Sequence, residues 1–341
     1  MLPPGAVLFS SRAPIGLVAI AGIPVCTNQG FKSFIPGPDV DTGYLFWCLR
    51  REAPRIANRG SGSTFAEVSK EVISRFEIPL PPLAEQRRIA AVLDRADALR
   101  RKRRESLRLL DEFLRSAFLE MFGDPVKRPS TKVPEGWDLL TVQEIQAGVE
   151  NACAGGPFGS SLTRSDYVLE PGVPVIRGNN LVADVGVFVD EAFAYVTEAK
   201  AAELARNIAL PGDVVFTQRG TIGQVARIPI DARYPRYLVS QSQMKLTVNH
   251  GLIDSMYLVH YFLSPRARAE LASRTLATGV PHINLGILKS FSVVVPPLPL
   301  QKRFVVLLSR QAAAKERLQA ADSEASLLFD SLAQRAFRGE L

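Results

Sequence analysis

Phe76–Asp94 reads FEIPLPPLAEQRRIAAVLD, and Phe291–Ser309 reads FSVVVPPLPLQKRFVVLLS. Each goes from a β-branched or apolar run, through two adjacent prolines, into a basic helical pattern. Proline is tolerated in the first turn of a helix because its missing N–H would be unpaired there anyway. Each stretch therefore predicts a closing strand, FEIPL or FSVVV, followed at once by a long helix. A second echo precedes them. PGAVLFSSRAPIGLVA (Pro4–Ala19) matches PGDVVFTQRGTIGQVA (Pro211–Ala226), with Phe9/Phe216, Arg12/Arg219 and Gly16/Gly223 among the identical pairs. The chain is thus read as a duplication. Its period exceeds that of stacked solenoid repeats, so the copies are domains. The second copy has a long segment, from about Lys132 to Pro211, whose counterpart is not found ahead of Pro4. The first copy is expected to lack roughly that front portion.

Within each copy, short β-branched runs alternate with Gly, Pro and Asn. DVVFTQ and GQVARI flank RGTIG as two strands flank a turn, and Asp254–Ala272 reads as helix. The long helices are expected over about Leu83–Phe122, stopped by Gly123-Asp124-Pro125, and over about Leu298–Arg338. Ile89, Val92, Ala96, Leu99, Leu110, Phe113 and Ala117 keep a heptad rhythm in the first, broken at Arg103 and Ser106. Phe304, Leu307, Ala314, Leu318, Ala321, Ala325, Leu328 and Leu332 keep it in the second, with Gln311 the exception. Sustained spacing of this kind predicts a paired helical rod. At ~1.5 Å per residue, forty residues make about 60 Å. The simpler alternative is that each helix packs only on its own domain. The expected fold is α+β.

Length and charge bound the function. The chain has 341 residues, room for two domains or more, with 41 Lys+Arg against 34 Asp+Glu, a net charge of +7. That surplus mildly favours a polyanionic partner. Cys26, Cys48 and Cys153 form no CxxC pair and read as reduced thiols. No apolar run reaches the ~18 residues of a membrane span, and no secretory signal precedes the first copy. The expected location is the cytoplasm. Catalytic motifs are missing: no GxxxxGK[ST], no HExxH, no GxSxG, and no proline-aromatic motif of an amino-methyltransferase. Asp190, Glu198 and Lys200 resemble a nuclease D…ExK set, a spacing that also arises by chance in charged stretches. The run RRKRR (Arg100–Arg104) is spread around a helix axis, leaving only part of it to face phosphates or an acidic partner.

The second copy carries a plausible recognition surface. GGPFGSSLTR supplies Ser160, Ser161 and Arg164, and VIRGNN supplies Arg177, Asn179 and Asn180. TQRGTIG holds Gln218, Arg219 and Thr221, and SQSQ holds Gln241 and Gln243. Arg, Asn and Gln can make paired hydrogen bonds to base edges, and hydroxyls suit phosphates. Singly, such residues more often build turns or solvated faces; together they suggest DNA binding.

IPLPPLAEQRRIAAVLD with AFLEMFGDP resembles the conserved helical region of type I restriction–modification specificity subunits. VPEGWDLLTVQEI, GGPFGSSL, GVPVIRGNN and LPGDVVFTQRGTIGQVA resemble the target recognition domain of that family. The resemblance implies duplicated target recognition domains with twisted β-sheets, separated by a long antiparallel two-helix coiled-coil spacer. The expected domains are residues 1–80, the back half of a truncated first recognition domain; 81–124, a spacer helix; 130–295, a complete second recognition domain; and 296–341, the second spacer helix. It implies no catalysis and no cofactor on this chain. Double-stranded DNA is the expected ligand. The partners are modification subunits, which methylate adenine with S-adenosylmethionine, and a restriction subunit using ATP and Mg. The alternative is a degenerate fragment that binds modification subunits but recognises no complete site.

Overall fold

The computed structural model describes residues 1–12, 14–60, 66–123, 133–169, 172–183, 185–276 and 280–340. The chain forms two compact units, Met1–Leu110 with Ala314–Leu341, and Asp111–Ala313. Each unit takes in part of each long helix. Among the described residues no helix is long and apolar enough to cross a membrane.

In the first unit, three antiparallel strands run in the order Val18–Ile20, Val7–Ser10, Phe31–Phe34. Side chains alternate across a strand. Val7 and Phe9 point to one face, where Leu45, Leu49 and Ile56 of the helix Thr42–Ala57 cover them along with Val68 and Ile73. That helix starts at Asp41, whose carboxylate accepts from Tyr44 N at 3.0 Å, a capping arrangement that satisfies an orphan N–H. Its opposite side places Tyr44 and Trp47 against Ile89, Ala90 and Leu93 of one long helix and Phe329 and Ala336 of the other.

The second unit also packs helices against an antiparallel sheet, and it holds more strands. Four strands run in the order Val225–Arg227, Val214–Thr217, Gln243–Leu246, Cys153–Gly155, all antiparallel. Val214 and Phe216 face a core built on Tyr257, Leu258, Phe262, Phe291 and Phe304. Val215 faces the other way, against Ile176, Tyr237 and Val239. These three belong to the strands Val173–Ile176 and Tyr237–Val239, the parallel pair within a five-stranded sheet. Val214–Thr217 is therefore buried on both faces. Its counterpart Val7–Ser10 has one covered face only, and there Leu8 is half-buried.

The turn between Val214–Thr217 and Val225–Arg227 is the antiparallel pair expected, with Val215 opposite Ala226. FSVVV is a strand, Ser292–Val295, paired with Asp138–Thr141. FEIPL is not. Residues 76–80 form no strand, because a strand needs a neighbour and among the described residues no strand pairs with them. The expected helix over Asp254–Ala272 is two helices, Ser255–Leu263 and Pro265–Ser273. Pro265 forces a new start, capped by the Ser264 hydroxyl.

The long helices are Leu83–Phe122 and Leu298–Ala336. Gly123 follows the first with φ +81, a left-handed conformation suited to glycine after a helix end; Asp124 and Pro125 lie outside the described residues. The buried stripe coincides with the expected one at Ile89, Ala117, Phe304 and Ala325 and departs from it elsewhere. In the first helix it runs through Gln86, Ala90, Leu93 and Asp97, whereas Leu99 is 46% exposed. In the second it runs through Gln301, Phe304, Leu308 and Gln311, and later through Ala325 and Phe329, whereas Leu328 is 58% exposed. The spacing is still three and four, but polar side chains occupy several positions, so counting apolar residues alone shifts the register.

Those polar positions have specific work. Gln86 accepts from Asp41 N and donates to Asp39 O and Pro81 O. Gln301 accepts from Asp254 N and donates to Leu252 O and Pro296 O. The phenol of Tyr44 donates to Pro79 O, and that of Tyr257 to Val294 O. The doubled proline stretch thus carries the same junction twice: a glutamine one turn into the helix ties the proline turn to the cap of another helix. Asp97, also buried, meets Arg100 at 2.9 Å and Arg101 at 2.8 Å. Arg100 lies over the Phe329 ring, and Arg103 donates to Ala321 O. Arg100 and Arg103 of the basic run are therefore used in helix packing.

Candidate nucleic-acid interface

The residues singled out from sequence lie on four loops of the second unit, and one short loop, Ser240–Gln243, binds the other three together. Ser240 N donates to Ile176 O, at the root of the Arg177–Asn180 loop. Gln218 N and Arg219 N both donate to Ser242 O, holding the RGTIG turn. Gly156 N donates to Gln243 O at 2.8 Å. Gln241 Nε2 donates to Gly159 O at 2.6 Å and Leu162 O at 2.8 Å, clasping the glycine-rich loop from both sides. Gly156 sits so close to the Ser240 carbonyl that a Cβ there would overlap it. Loops joined by this many backbone bonds present their tips as one set.

The tips are Ser160, Ser161, Arg164, Arg177, Asn179, Arg219 and Thr221, all exposed. Three guanidiniums, an amide and three hydroxyls can donate to phosphate oxygens or base edges. Asn180 and Gln243 correct the sequence reading: both are 0% exposed. Asn180 accepts from Arg177 N and donates to Val189 O and Glu191 O. The Gln243 Oε1 accepts from the Ser240 hydroxyl. The Asn180 amide braces its loop, because a backbone without regular pairing needs side chains to satisfy its polar groups, whereas the buried Gln243 Nε2 has no hydrogen-bond partner among the described residues. Gln241 is exposed but its amide N–H₂ is committed, and Gln218 is half-buried with Oε1 enclosed. Sequence reasoning passed over Phe158, which is 92% exposed at the tip of the glycine-rich loop. An isolated aromatic between Pro157 and Gly159, with no periodic apolar neighbours to join, is the signal that could have found it.

The internal repeat gives a comparison within the molecule. Arg12 pairs with Glu67 across an isolated bridge, and Arg219 pairs with His282 at the matching place. In the first unit the guanidinium meets the Glu67 carboxylate at 2.7 Å, and Lys32 meets it at 3.3 Å. The Arg12 hydrogen bond holds the Glu67 carboxyl below its usual range, with Lys32 adding to it. In the second unit the carboxylate is replaced by His282, and among the described residues no carboxylate pairs with Arg219. One arginine has a carboxylate counter-ion and the other has none among the described residues.

Asp190, Glu198 and Lys200 do not converge on a common centre. Asp190 accepts from Tyr237 Oη at 2.6 Å and Arg233 N at 2.6 Å. Glu198 pairs with Arg236, and Lys200 with Asp166 and Glu203. The hydrogen bond that Lys200 donates to Glu203, with that to Asp166, raises the lysine's pKa. Among the described residues, no three His, Cys, Asp or Glu side chains cluster as a metal site would require.

Comparison with known proteins follows the same lines. The specificity subunit of the MjaIX type I restriction enzyme of Methanocaldococcus jannaschii is 27% identical over 323 residues, which cover 89% of this chain and 70% of that one. The EcoKI specificity subunit of Escherichia coli K12 is 23% identical, over 84% of this chain and 62% of that protein. A chain from a structure on complex assembly and conformational transition of the type I R-M system matches with a TM-score of 0.64 at 20% identity, covering all of this chain and 83% of the other. The family model for the type I restriction modification DNA specificity domain matches residues 1–109 and 160–321. A duplicated proline-to-helix junction, a braced cluster of donor-bearing loops and a family match over most of the chain agree: this protein belongs to the family of type I restriction–modification specificity subunits.

Proposed function

We propose that this chain is the DNA-recognition subunit of a type I restriction–modification complex, and that its second unit reads one part of a split site. The observation that carries this is the loop cluster held by Ser240–Gln243, which gathers Ser160, Ser161, Arg164, Arg177, Asn179, Arg219 and Thr221 at exposed positions. Arginine donates in pairs to guanine, and asparagine pairs with adenine; the hydroxyls hold phosphates and fix the register. Recognition is assigned to the second unit because Arg12 is committed to the Glu67 carboxylate, whereas among the described residues no carboxylate pairs with Arg219.

In this reading the two units are duplicated recognition domains, and Leu83–Phe122 with Leu298–Ala336 form an antiparallel coiled-coil spacer. Within the first unit that pairing is supported by Arg100 over Phe329. Within the second it is supported by Phe118 against Phe304 at 5.3 Å. The chain performs no chemistry. Modification subunits methylate adenine with S-adenosylmethionine, and restriction subunits cut with ATP and Mg, in the cytoplasm. The test is the pattern of N6-methyladenine across the host genome with and without this gene. Loss of one methylated motif on deletion is expected. An unchanged pattern would sink the reading in favour of a fragment that binds modification subunits without a site of its own. The binding is also expected to weaken steeply with salt, since each phosphate contact releases counterions.

A further inference from the structure

The glycine-rich loop holds an apolar side chain out in water. Phenylalanine is among the most often buried residues, yet Phe158 is 92% exposed. The loop beneath it is firmly built. Pro157 is buried, and Gly156 is wedged against Ser240. Ser161 N donates to Phe158 O at 3.0 Å, and Gln241 clasps the carbonyls of Gly159 and Leu162.

Its surroundings indicate which ligand. Ser160, Ser161 and Arg164 follow it on the same exposed segment. Arg177 and Asn179 stand on the loop tied to Ser240 through Ile176. A protein partner for an exposed ring is expected to meet an apolar rim, whereas hydroxyls and guanidiniums fit a sugar–phosphate backbone. Resting on the recognition reading above, we propose that Phe158 is a wedge that enters a base step of the DNA half-site and stacks on the base it uncovers. Apolar side chains flanked by phosphate-binding groups unstack base steps in this way, and every base offers a face to an aromatic ring.

The test uses the full chain assembled with its modification subunits and the motif obtained from the wild-type methylation pattern. Duplexes carry 2-aminopurine at successive positions through the half-site. Wild-type binding is expected to raise the fluorescence several-fold at one step. Phe158→Ala is expected to abolish that rise and weaken binding about ten-fold, the scale of one lost base–aromatic stack. Phe158→Trp is expected to keep both. With so little of the ring buried, Phe158→Ala should melt with the wild type. Unchanged affinity and fluorescence in Phe158→Ala, with wild-type binding intact, overturns the wedge and leaves the recognition reading standing. Weaker binding with the fluorescence rise retained also overturns it, since the ring then touches DNA without opening a step. No site-specific binding by the wild-type complex overturns the recognition reading, and the wedge with it.

Discussion

Gln301→Ala tests the junction that the doubled proline stretch builds. The side chain is 0% exposed. It accepts from Asp254 N at 2.8 Å and donates to Leu252 O at 3.1 Å and Pro296 O at 2.6 Å. Alanine leaves one N–H and two carbonyls without that partner. At a net ~1 kcal/mol per bond, and more for a group left buried and dry, the loss is about 3 kcal/mol. Gln86→Ala removes the equivalent three bonds, at 2.9, 2.9 and 2.8 Å, and should cost the first unit a similar amount. The assay is urea unfolding followed by tryptophan fluorescence. Trp47 lies in the first unit and Trp137 in the second, and they are the only two tryptophans. Trp47→Phe and Trp137→Phe backgrounds therefore let each unit be followed alone. Gln301→Ala should shift the Trp137 transition and Gln86→Ala the Trp47 transition, while the exposed Gln319→Ala stays within about 0.5 kcal/mol of wild type. A loss below about 1 kcal/mol, or the wrong transition moving, would refute the claim that these amides lock the helix starts.

Three further outcomes are expected. Gly156→Ala forces a methyl into the Ser240 carbonyl, so it should destabilise the second unit by roughly 1–3 kcal/mol, as overpacking does, and weaken DNA binding; unchanged urea midpoint and affinity would contradict the bracing role of that contact. Burial pushes the pKa of His260, against Phe304, down to about 4. The unfolded chain then binds a proton that the folded one refuses, so stability is full above about pH 6.5 and falls as pH drops toward 4, by roughly 2–3 kcal/mol. His260→Phe should flatten that slope, measured by urea midpoints across the range. His282→Glu rebuilds opposite Arg219 the ion pair that Arg12 makes with Glu67. DNA affinity of the assembled complex should drop by about 1–3 kcal/mol, as on loss of a base-contacting arginine, with little change in melting temperature.

Several features of this protein are written locally and could be read from residues alone. Proline pairs, turn glycines and β-branched runs act over a few neighbours, so Leu83–Phe122, the Val214–Thr217 hairpin and the internal repeat were legible. The family likeness rests on the same short motifs. What depended on distant neighbours was not legible. FEIPL has the composition of a strand, but pairing is a property of two segments, and no strand among the described residues pairs with residues 76–80. The buried stripe of each long helix follows what lies against it, so Gln86, Asp97 and Gln301 take core positions and Leu99 and Leu328 face solvent. The loop cluster divides for the same reason. Asn180 has the chemistry to touch a base, yet irregular backbone must find hydrogen-bond partners somewhere, and its amide supplies them; Gln243 is enclosed beside the Ser240 hydroxyl. Arg12 and Arg219 stand in matching sequence, and only a residue far along the chain, Glu67 in one unit and His282 in the other, decides which of them meets a carboxylate.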